Sequence, residues 1–343
     1  MAMSVISTQV QLVARPDGWP APTDFRTARV ELAELGADQV RVLNEYISVD
    51  PYMRGRMNDA KSYAPPYALG ETMTGGAVGR VVGSTTEAIK VGDAVVHQLG
   101  WRDVAQGAAA GFRVVPEIVG VPLSANLGVL GMTAFTAYVG LQQVAKLAAG
   151  DTVFVSGAAG AVGTMVGQIA RLKGATRVIG AAGSAEKVAR LIGRYGFDAA
   201  FNYKDGPVAA QLAAAAPGGI DVYFDNVGGD HLEAALAAFN DGGRAALCGA
   251  ISQYNSTDLP AGPRNLANII TRALTLTGFT VGRYTQYFPA FAAEMAGWLD
   301  AGDVVFDETV VDGIENSVAA FLGLMRGENT GKMVVRTGPA TSH

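Results

Sequence analysis

The chain has 343 residues, of which 49% are hydrophobic and 17% charged, and its formal net charge is −5. This length predicts about two domains with sizeable cores, and the charge balance excludes a sequence-wide basic surface for nucleic acid or anionic lipid. Cys248 is the only cysteine, which excludes an internal disulfide and a thiolate zinc cluster and fits a reducing cytoplasm.

Metal binding, export and membrane insertion are also disfavoured. The histidines are His97, His231 and His343, which are too few and too scattered for a metal site. Residues 1–16 lack the cationic leader and the continuous apolar core of a secretion signal. Residues 118–145 carry no charge, but they contain a proline, amides and glycines, so a buried segment between domains is favoured over a membrane span. We therefore expect a soluble, cytoplasmic protein without a metal, nucleic-acid or membrane partner.

The predicted elements begin with a β-rich domain over residues 1–127. Apolar residues alternate or cluster between Gly, Pro and Asp turns in this part of the chain. Strands are predicted at residues 12–14, 40–48, 76–82 and 94–96.

A glycine-rich turn follows. Residues 153–155 form a β-branched segment that leads through Gly157, Gly160 and Gly163 into an apolar helix predicted at residues 164–172. Gly157 permits a tight turn, Gly160 removes a Cβ that would block a pyrophosphate, and Gly163 lets the helix pack closely against the strand. Phosphates would meet N–H groups at the positive end of the helix. The spacing predicts a dinucleotide site because of its context; alone it also fits a glycine-rich turn in another α/β domain.

The segments downstream of the turn predict a parallel, doubly wound Rossmann sheet within residues 128–303. Further strands are predicted at residues 177–181, 199–203, 221–225, 243–247 and 274–278. Helical segments, the first at residues 184–195, separate most of them. Residues 314–326 have apolar residues at helical spacing, and a last strand at residues 332–336 is expected to return to the first domain, which residues 304–343 complete.

The residues after the second strand of this sheet indicate which nicotinamide cofactor binds. An NAD enzyme of this fold places an acid about twenty residues past the turn, but residues 181–184 contain none. Ser184 can donate to a phosphate and Lys187 adds a positive charge, which together favour NADP. Glu186 is expected to point away from Lys187. Taken alone, Ser184 also fits an ordinary helix N-cap, and Lys187 an ordinary solvated charge.

Short runs spread along nearly the whole chain match one enzyme family. They are residues 50–54 (DPYMR), 70–71 (GE), 132–141 (with TAY at 136–138), 183–187 (GSAEK), 225–229 (DNVGG), 248–255 (CGAISQYN), 262–265 (GPRN) and 327–332 (GENTGK). With the glycine turn, these runs resemble the medium-chain dehydrogenase/reductase superfamily, and more narrowly its zinc-independent prostaglandin reductase and plant double-bond reductase branch. Zinc-dependent members of the superfamily carry Gly-His-Glu where this chain has Leu69-Gly70-Glu71, so the zinc-ligand histidine is absent.

The resemblance implies an α/β enzyme with a GroES-like β-rich catalytic domain, a Rossmann domain and a homodimeric assembly. The implied reaction is the metal-independent, NADPH-dependent reduction of the carbon-carbon double bond of an α,β-unsaturated ketone or aldehyde, with hydride added to the β carbon. Besides the three glycines, Ser184 and Lys187, the implied cofactor contacts are Ala161, Val162, Thr164, Thr136, Tyr203, Asn226, Cys248, Gly249, Ala250, Ile251, Ser252, Tyr254, Phe279, Thr280, Val281, Asn329 and Gly331. Tyr203 would join the adenosine phosphate. Thr136 and Phe279 would lie by the nicotinamide, although Phe279 and Cys248 fit the core equally well.

Three tyrosines are candidates for the catalytic hydrogen-bond donor. Hydride addition leaves an enolate oxygen that needs a donor and an α carbon that needs a proton. Tyr254 follows a strand of the nucleotide domain, where doubly wound sheets place ligands, and its phenol is protonated at neutral pH. Tyr52 and Tyr63, in the first domain, are weaker candidates, and all three also fit a packing role. Water or the cofactor ribose is an alternative proton source.

Two other interpretations stay open. The same scaffold supports quinone reduction, since a quinone contains an enone, and alcohol oxidation, which the missing zinc ligand disfavours. An interpretation from another class is an NADPH-binding sensor or structural protein with little turnover.

Overall fold

The computed structural model describes residues 5–258 and 260–338. The described residues divide into two compact units. The first comprises residues 5–128, 308–329 and 333–338, and the second lies within residues 129–307 and 330–332.

The elements are numbered in chain order. Those up to residue 128 are β1 (Val5–Leu12), β2 (Phe25–Leu32), β3 (Gln39–Ser48), α1 (Tyr52–Arg56), β4 (Ala77–Ser84), β5 (Ala94–His97), β6 (Val104–Ala108) and β7 (Phe112–Val114). The next are α2 (Met132–Val139), β8 (Thr152–Val155), α3 (Ala161–Leu172), β9 (Arg177–Ala182), α4 (Ala185–Gly193), β10 (Ala199–Asn202), α5 (Val208–Ala215), β11 (Ile220–Asp225), α6 (Gly229–Ala238), β12 (Phe239–Leu247), α7 (Ala267–Thr271), β13 (Thr275–Gly278) and α8 (Phe288–Ala301). The last are β14 (Glu308–Asp312), α9 (Ser317–Met325) and β15 (Lys332–Arg336).

A seven-stranded sheet is the framework of the first unit. Its order is β14-β15-β3-β4-β5-β7, with β6 also paired to β3, while β1 and β2 form a separate antiparallel pair. β15 runs antiparallel to β3, with Val334 opposite Ser48. This pairing confirms the prediction that the last strand returns to the first domain.

The first strand lies earlier than the sequence pattern indicated. β1 ends at Leu12, and residues 13 and 14 instead donate backbone hydrogen bonds to the carbonyl of Asp24. The predicted strand at residues 12–14 is therefore wrong. β1 buries the polar residues Ser7 and Gln9, whose side chains hydrogen-bond to each other at 3.1 Å, so the strand lacks a clear apolar alternation.

The second unit is built on a six-stranded parallel sheet with the order β10-β9-β8-β11-β12-β13. This is the doubly wound order in which the chain winds outward from β8 in one direction and from β11 in the other. Phe154 on β8 stacks between Phe201 on β10 and Tyr223 on β11, at ring-centroid distances of 5.9 and 5.1 Å. The predicted Rossmann domain and the predicted β-rich domain are both confirmed.

The charge-free residues 118–145 contain α2, which is largely buried and continues directly into a π-helical turn at Gly140–Val144. Among the described residues, no helix has both the length and the apolar character needed to cross a membrane.

Candidate cofactor site

The glycine turn between β8 and α3 has the geometry that its sequence predicts. Gly157 has φ +57°, in the region that favours glycine. A Cβ on Gly163 would lie 2.4 Å from the carbonyl oxygen of Gly157 and 2.6 Å from Cα of Ala158, so only glycine fits there. A Cβ on Gly160 would find only the Gly157 oxygen, at 3.4 Å. The protein itself therefore tolerates a side chain at Gly160, and the bare Cα leaves room for a ligand.

The first turn of α3 offers hydrogen-bond donors to that space. Gly160 is the N-cap and has no side chain to cap the helix, and the first turn holds no acidic residue. The N–H groups of Ala161, Val162 and Gly163 have no acceptor within the helix, and the helix dipole makes this end positive. The Thr164 hydroxyl instead donates back to the carbonyl of Gly160 at 3.1 Å. This end of α3 suits a pyrophosphate.

Residues from near the carboxyl terminus complete the turn. The N–H of Gly331 donates to the carbonyl of Ala159 at 2.9 Å, and Gly331 forms a bridge with Gly160. Gly331 has φ +65°, and a Cβ there would lie 1.9 Å from the carbonyl oxygen of Asp307, so glycine is required. The structure thus brings Gly331, a predicted contact, to the glycine turn.

A buried carboxylate organises the loop after β11, the strand beside β8. One oxygen of Asp225 accepts hydrogen bonds from the hydroxyls of Ser156 and Tyr223, at 3.0 and 2.7 Å, and from the N–H groups of Val227 and Gly228, at 2.9 and 2.8 Å. Asp225 is 2% exposed. These bonds fix the start of the loop at the point where the strand order reverses, which is where doubly wound sheets bind ligands.

Asn226 is held against the glycine turn by the same network. Its backbone N–H donates to the Ser156 hydroxyl at 2.9 Å, and its side-chain amide donates to the Ser156 carbonyl at 2.8 Å. Its Cβ lies 3.3 Å from the position that a Cβ on Gly157 would occupy. Asn226, which the resemblance implies as a cofactor contact, therefore lies beside the predicted phosphate contacts.

The loop after β12 runs alongside Asn226. The N–H groups of Cys248 and Gly249 donate to the carbonyl of Asp225 at 2.9 and 3.0 Å, and that of Ile251 donates to the carbonyl of Asn226 at 3.3 Å. Burial raises the pKa of the Cys248 thiol to about 12. At neutral pH this thiol is protonated and is not a nucleophile.

Tyr254 folds back onto this loop. Its hydroxyl oxygen accepts the N–H of Ala250 at 3.4 Å and lies beside Gly249. Burial raises the pKa of Tyr254, so the phenol keeps its proton at neutral pH. Ser252 is used structurally, since its hydroxyl donates to the carbonyl of Val227 at 2.6 Å.

Two predicted nicotinamide contacts come from neighbouring elements. The Thr136 hydroxyl donates to the carbonyl of Met132 at 2.7 Å, within α2. One turn later, a Cβ on Gly140 would lie 2.9 Å from the ring of Phe279, so Phe279 packs on the same face of the helix. Phe279 also meets Phe224 edge to face at 6.2 Å, so the core role left open for it is present. Thr280 and Val281 follow at the start of the helical segment Val281–Tyr287.

A positively charged corner lies beyond β9 and β10. Ser184 is the N-cap of α4, where its hydroxyl accepts the N–H of Lys187 at 3.3 Å and keeps a hydrogen to donate. The Tyr203 hydroxyl lies 2.9 Å from the position that a Cβ on Gly183 would occupy. Burial and the nearby charge of Lys204 lower the pKa of Lys187. Glu186 pairs with Arg190 at 3.5 Å, but its charge still reaches Lys187, where it raises the pKa against these two effects.

Known proteins resemble this chain over almost its full length. Residues 8–115 match a family model described as the N-terminal domain of oxidoreductase, and residues 161–297 match one described as zinc-binding dehydrogenase. A putative NADP-dependent oxidoreductase of Bacillus subtilis, YfmJ, is 43% identical over 97% of this chain and 98% of its own. A 2-alkenal reductase (NADP(+)-dependent) of Nicotiana tabacum is 40% identical, with 98% of each chain covered. The crystal structure of CurA in complex with NADPH from Vibrio vulnificus is 41% identical, with a TM-score of 0.92 over 97% of this chain and 99% of that one.

The chain belongs to the medium-chain dehydrogenase/reductase superfamily. Within it, the similarity places the chain in the zinc-independent prostaglandin reductase and double-bond reductase branch. No group of three His, Cys, Asp or Glu side chains among the described residues is arranged to hold a metal ion. Of the three histidines, His343 lies outside the described residues.

The remaining predicted residues of this family member lie in the first unit. Tyr52 begins α1, and burial, followed by the charge of Asp50, raises its pKa. Tyr63 is 67% exposed, on the loop that follows α1. Asn329 is 6% exposed. The catalytic or binding roles of these residues stay predictions.

Three residues of the site, Ser156, Asp225 and Lys204, were not assigned a role from the sequence. Ser156 and Asp225 were visible as polar residues at the ends of adjacent buried strands, the second of them followed by two glycines that permit a tight loop. Lys204 directly follows Tyr203, but its nearness to Lys187 depends on β10 lying beside β9.

Proposed function

We propose that this protein is an NADPH-dependent reductase that acts on the carbon-carbon double bond of α,β-unsaturated ketones and aldehydes. The observation that carries the proposal is the open position at Gly160, at the positive end of α3 and at the point where the strand order reverses. The cationic corner at Lys187 supports NADPH over NADH. The substrate class is supported by the similarity to the 2-alkenal reductase over 98% of the chain.

The residues present fit the cofactor. The N–H groups of Ala161 to Gly163 would hold the pyrophosphate, Ser184 and Lys187 the extra phosphate, and Asn226 a ribose. Bound NADPH supplies the hydride that adds to the β carbon of the substrate. The packed surface of Thr136 and Phe279 would hold the reacting groups in contact and exclude water.

Tyr254 is the proposed donor to the substrate carbonyl. Addition of hydride leaves negative charge on that oxygen, and a hydrogen bond aimed at it lowers the barrier. The hydroxyl oxygen accepts the Ala250 N–H, so its own hydrogen remains for the substrate. Tyr52 and Tyr63 are the weaker candidates for this role, and a packing role is the alternative for all three.

One assay separates the proposed function from the alternatives. NADPH consumption is followed with a simple enone, a quinone and, in the oxidative direction with NADP, an alcohol, and each product is identified by mass spectrometry. The proposal expects the saturated ketone from the enone. Turnover of the quinone alone would identify a quinone reductase, and turnover of the alcohol alone an alcohol dehydrogenase. Tight NADPH binding without any turnover would indicate a sensor or structural protein.

We also propose a cytoplasmic homodimer. β13 ends the sheet order, so one of its edges pairs with no strand among the residues described, and an unpaired edge is a ready surface for a second copy. In the segment leading into β13, Leu266 is 51% and Ile270 84% exposed. Light scattering should give twice the chain mass for the wild type and a lower mass for Ile270→Glu, whereas a monomeric wild type would contradict the proposal.

The cytoplasmic location is supported by the single cysteine, which needs no oxidising compartment. Cell fractionation tests this location.

A further inference from the structure

The turn after β10 presents a second lysine at the corner that holds Lys187. The ammonium of Lys204 lies 6.0 Å from the centroid of the Tyr203 ring. The hydroxyl of Tyr203 lies beside Gly183, the residue before Ser184. Lys204, Tyr203 and the N-cap of α4 therefore form one continuous surface.

The position of this turn is fixed by side-chain hydrogen bonds. The amide oxygen of Asn202 accepts the N–H of Lys204 at 3.2 Å, and its amide nitrogen donates to the carboxylate of Asp205 at 2.7 Å. The amide of Gln211 donates to the carbonyls of Asn202 and Gly206, both at 3.0 Å. Asp205, the acid next to Lys204 in sequence, is thus already engaged by Asn202.

The two lysines share one electrostatic environment. Burial lowers the pKa of the Lys187 amine, and Lys204 lies close enough for its charge to lower it further, while the charge of Glu186 raises it. Bringing two cations together costs free energy, and an anion bound at the corner would recover it. The extra phosphate of NADPH carries close to two negative charges at neutral pH, which matches two ammonium groups better than one.

We propose that Lys204 acts together with Lys187 to select the extra phosphate of NADPH, and so determines the preference for NADPH over NADH. This inference rests on the cofactor part of the proposed function and does not depend on the substrate. Lys204 is exposed, so its contribution is a screened, salt-dependent attraction rather than a buried ion pair.

Fluorescence titration of the full chain with NADPH and with NADH tests the proposal. Lys204→Met should raise the Kd for NADPH roughly threefold to tenfold at low salt and leave the Kd for NADH unchanged. Lys204→Arg should retain most of the affinity, because it keeps the charge. In about 0.5 M salt, the difference between wild type and Lys204→Met should shrink, since exposed charges are screened.

Two controls make the result decisive. Lys90→Met, on the exposed turn before β5 in the first unit, makes the same change in net charge and should leave both Kd values unchanged. The two residues hold one phosphate, so their effects on the Kd for NADPH should not be additive. The factor by which Lys204→Met raises this Kd should therefore differ between the Lys187→Met background and the wild type.

The proposal would be overturned if Lys204→Met raised the Kd values for NADPH and NADH equally, or changed neither of them. It would also be overturned if Lys90→Met had the same effect as Lys204→Met. A wild type that binds NADPH but reduces no enone would refute the substrate assignment and leave this inference standing. A wild type that does not bind NADPH would end both.

Discussion

Two alanine substitutions in the glycine turn separate folding from cofactor binding. Gly163→Ala places a Cβ 2.4 Å from the carbonyl oxygen of Gly157, and Gly160→Ala places one 3.4 Å from the same oxygen. The first position is closed by backbone atoms, whereas the second opens toward the predicted pyrophosphate. We therefore expect Gly163→Ala to destabilise the protein without cofactor, and Gly160→Ala to weaken cofactor binding without destabilising it.

The expected magnitudes follow from these distances. Ordinary carbon contacts lie at about 3.5 Å, so Gly163→Ala must displace α3 from the turn by on the order of 1 Å. Overpacking costs about 1–3 kcal/mol, and contact with rigid backbone favours the upper end, which corresponds to a fall in Tm of roughly 3–4 °C for unfolding of the 343-residue chain as one unit. At Gly160 the backbone has φ −82° and ψ 173°, which alanine adopts freely, so stability should stay within about 1 kcal/mol of the wild type, because the gain from a less flexible unfolded chain is offset by the poorer N-cap. Losing one hydrogen bond to a charged phosphate costs about 1.5–3 kcal/mol, or roughly tenfold to 150-fold in Kd.

The assays are thermal unfolding without cofactor and titration with NADPH for the wild type and both variants. A Gly160→Ala protein that binds NADPH as tightly as the wild type would remove the glycine turn from the phosphate site. A Gly163→Ala protein with unchanged Tm would show that the helix and turn are not packed as described.

Four further outcomes are expected. Lys187→Ala should lower the ratio of kcat/KM for NADPH to that for NADH, and an unchanged ratio would contradict the role of Lys187. In the wild type this ratio should also decline as the pH rises through the pKa of Lys187, because only the ammonium form attracts the phosphate. That pKa is lowered from its ordinary value of 10.5. Tyr254→Phe should lower kcat with an enone far more than it changes NADPH affinity, because the hydrogen bond is needed mainly in the transition state; unchanged turnover would assign the proton to water or to the cofactor ribose. Asp225→Ala leaves two hydroxyls and two N–H groups without their acceptor, so the free energy of unfolding measured with denaturant should fall by about 3 kcal/mol, and by less in Asp225→Asn. Equal stability of Asp225→Ala and the wild type would refute the structural role. Cys248 should resist alkylation in the native protein at neutral pH and react after unfolding, as followed by mass spectrometry, because its pKa is raised to about 12; rapid native labelling would contradict the raised pKa.

The sequence predicted the nucleotide unit better than the first unit for a physical reason. Parallel strands buried on both faces are continuous apolar runs bounded by glycine, such as residues 153–155 before Gly157, and such runs are easy to recognise. β2 was not predicted, because Arg26, Arg29 and Glu31 interrupt its apolar residues and Phe25 alone is buried, so the strand shows no regular apolar alternation.

The candidate site shows the same division. Gly157 and Gly163 were assigned from their spacing, because a positive φ at the first and close backbone packing at the second each favour glycine alone. The roles of Ser156 and Asp225 were not, because each is defined by a partner on another strand. The nearness of Lys187 to Lys204 likewise depends on the sheet order, which joins residues that no local pattern connects.

The hydrogen bond from Gly331 to Ala159 joins the phosphate turn to a segment more than 170 residues further along the chain. During translation the turn gains this partner only after residue 331 has emerged from the ribosome. A chimera that exchanges cofactor preference with a relative must therefore transplant residues 330–332 along with the contiguous block at 129–307.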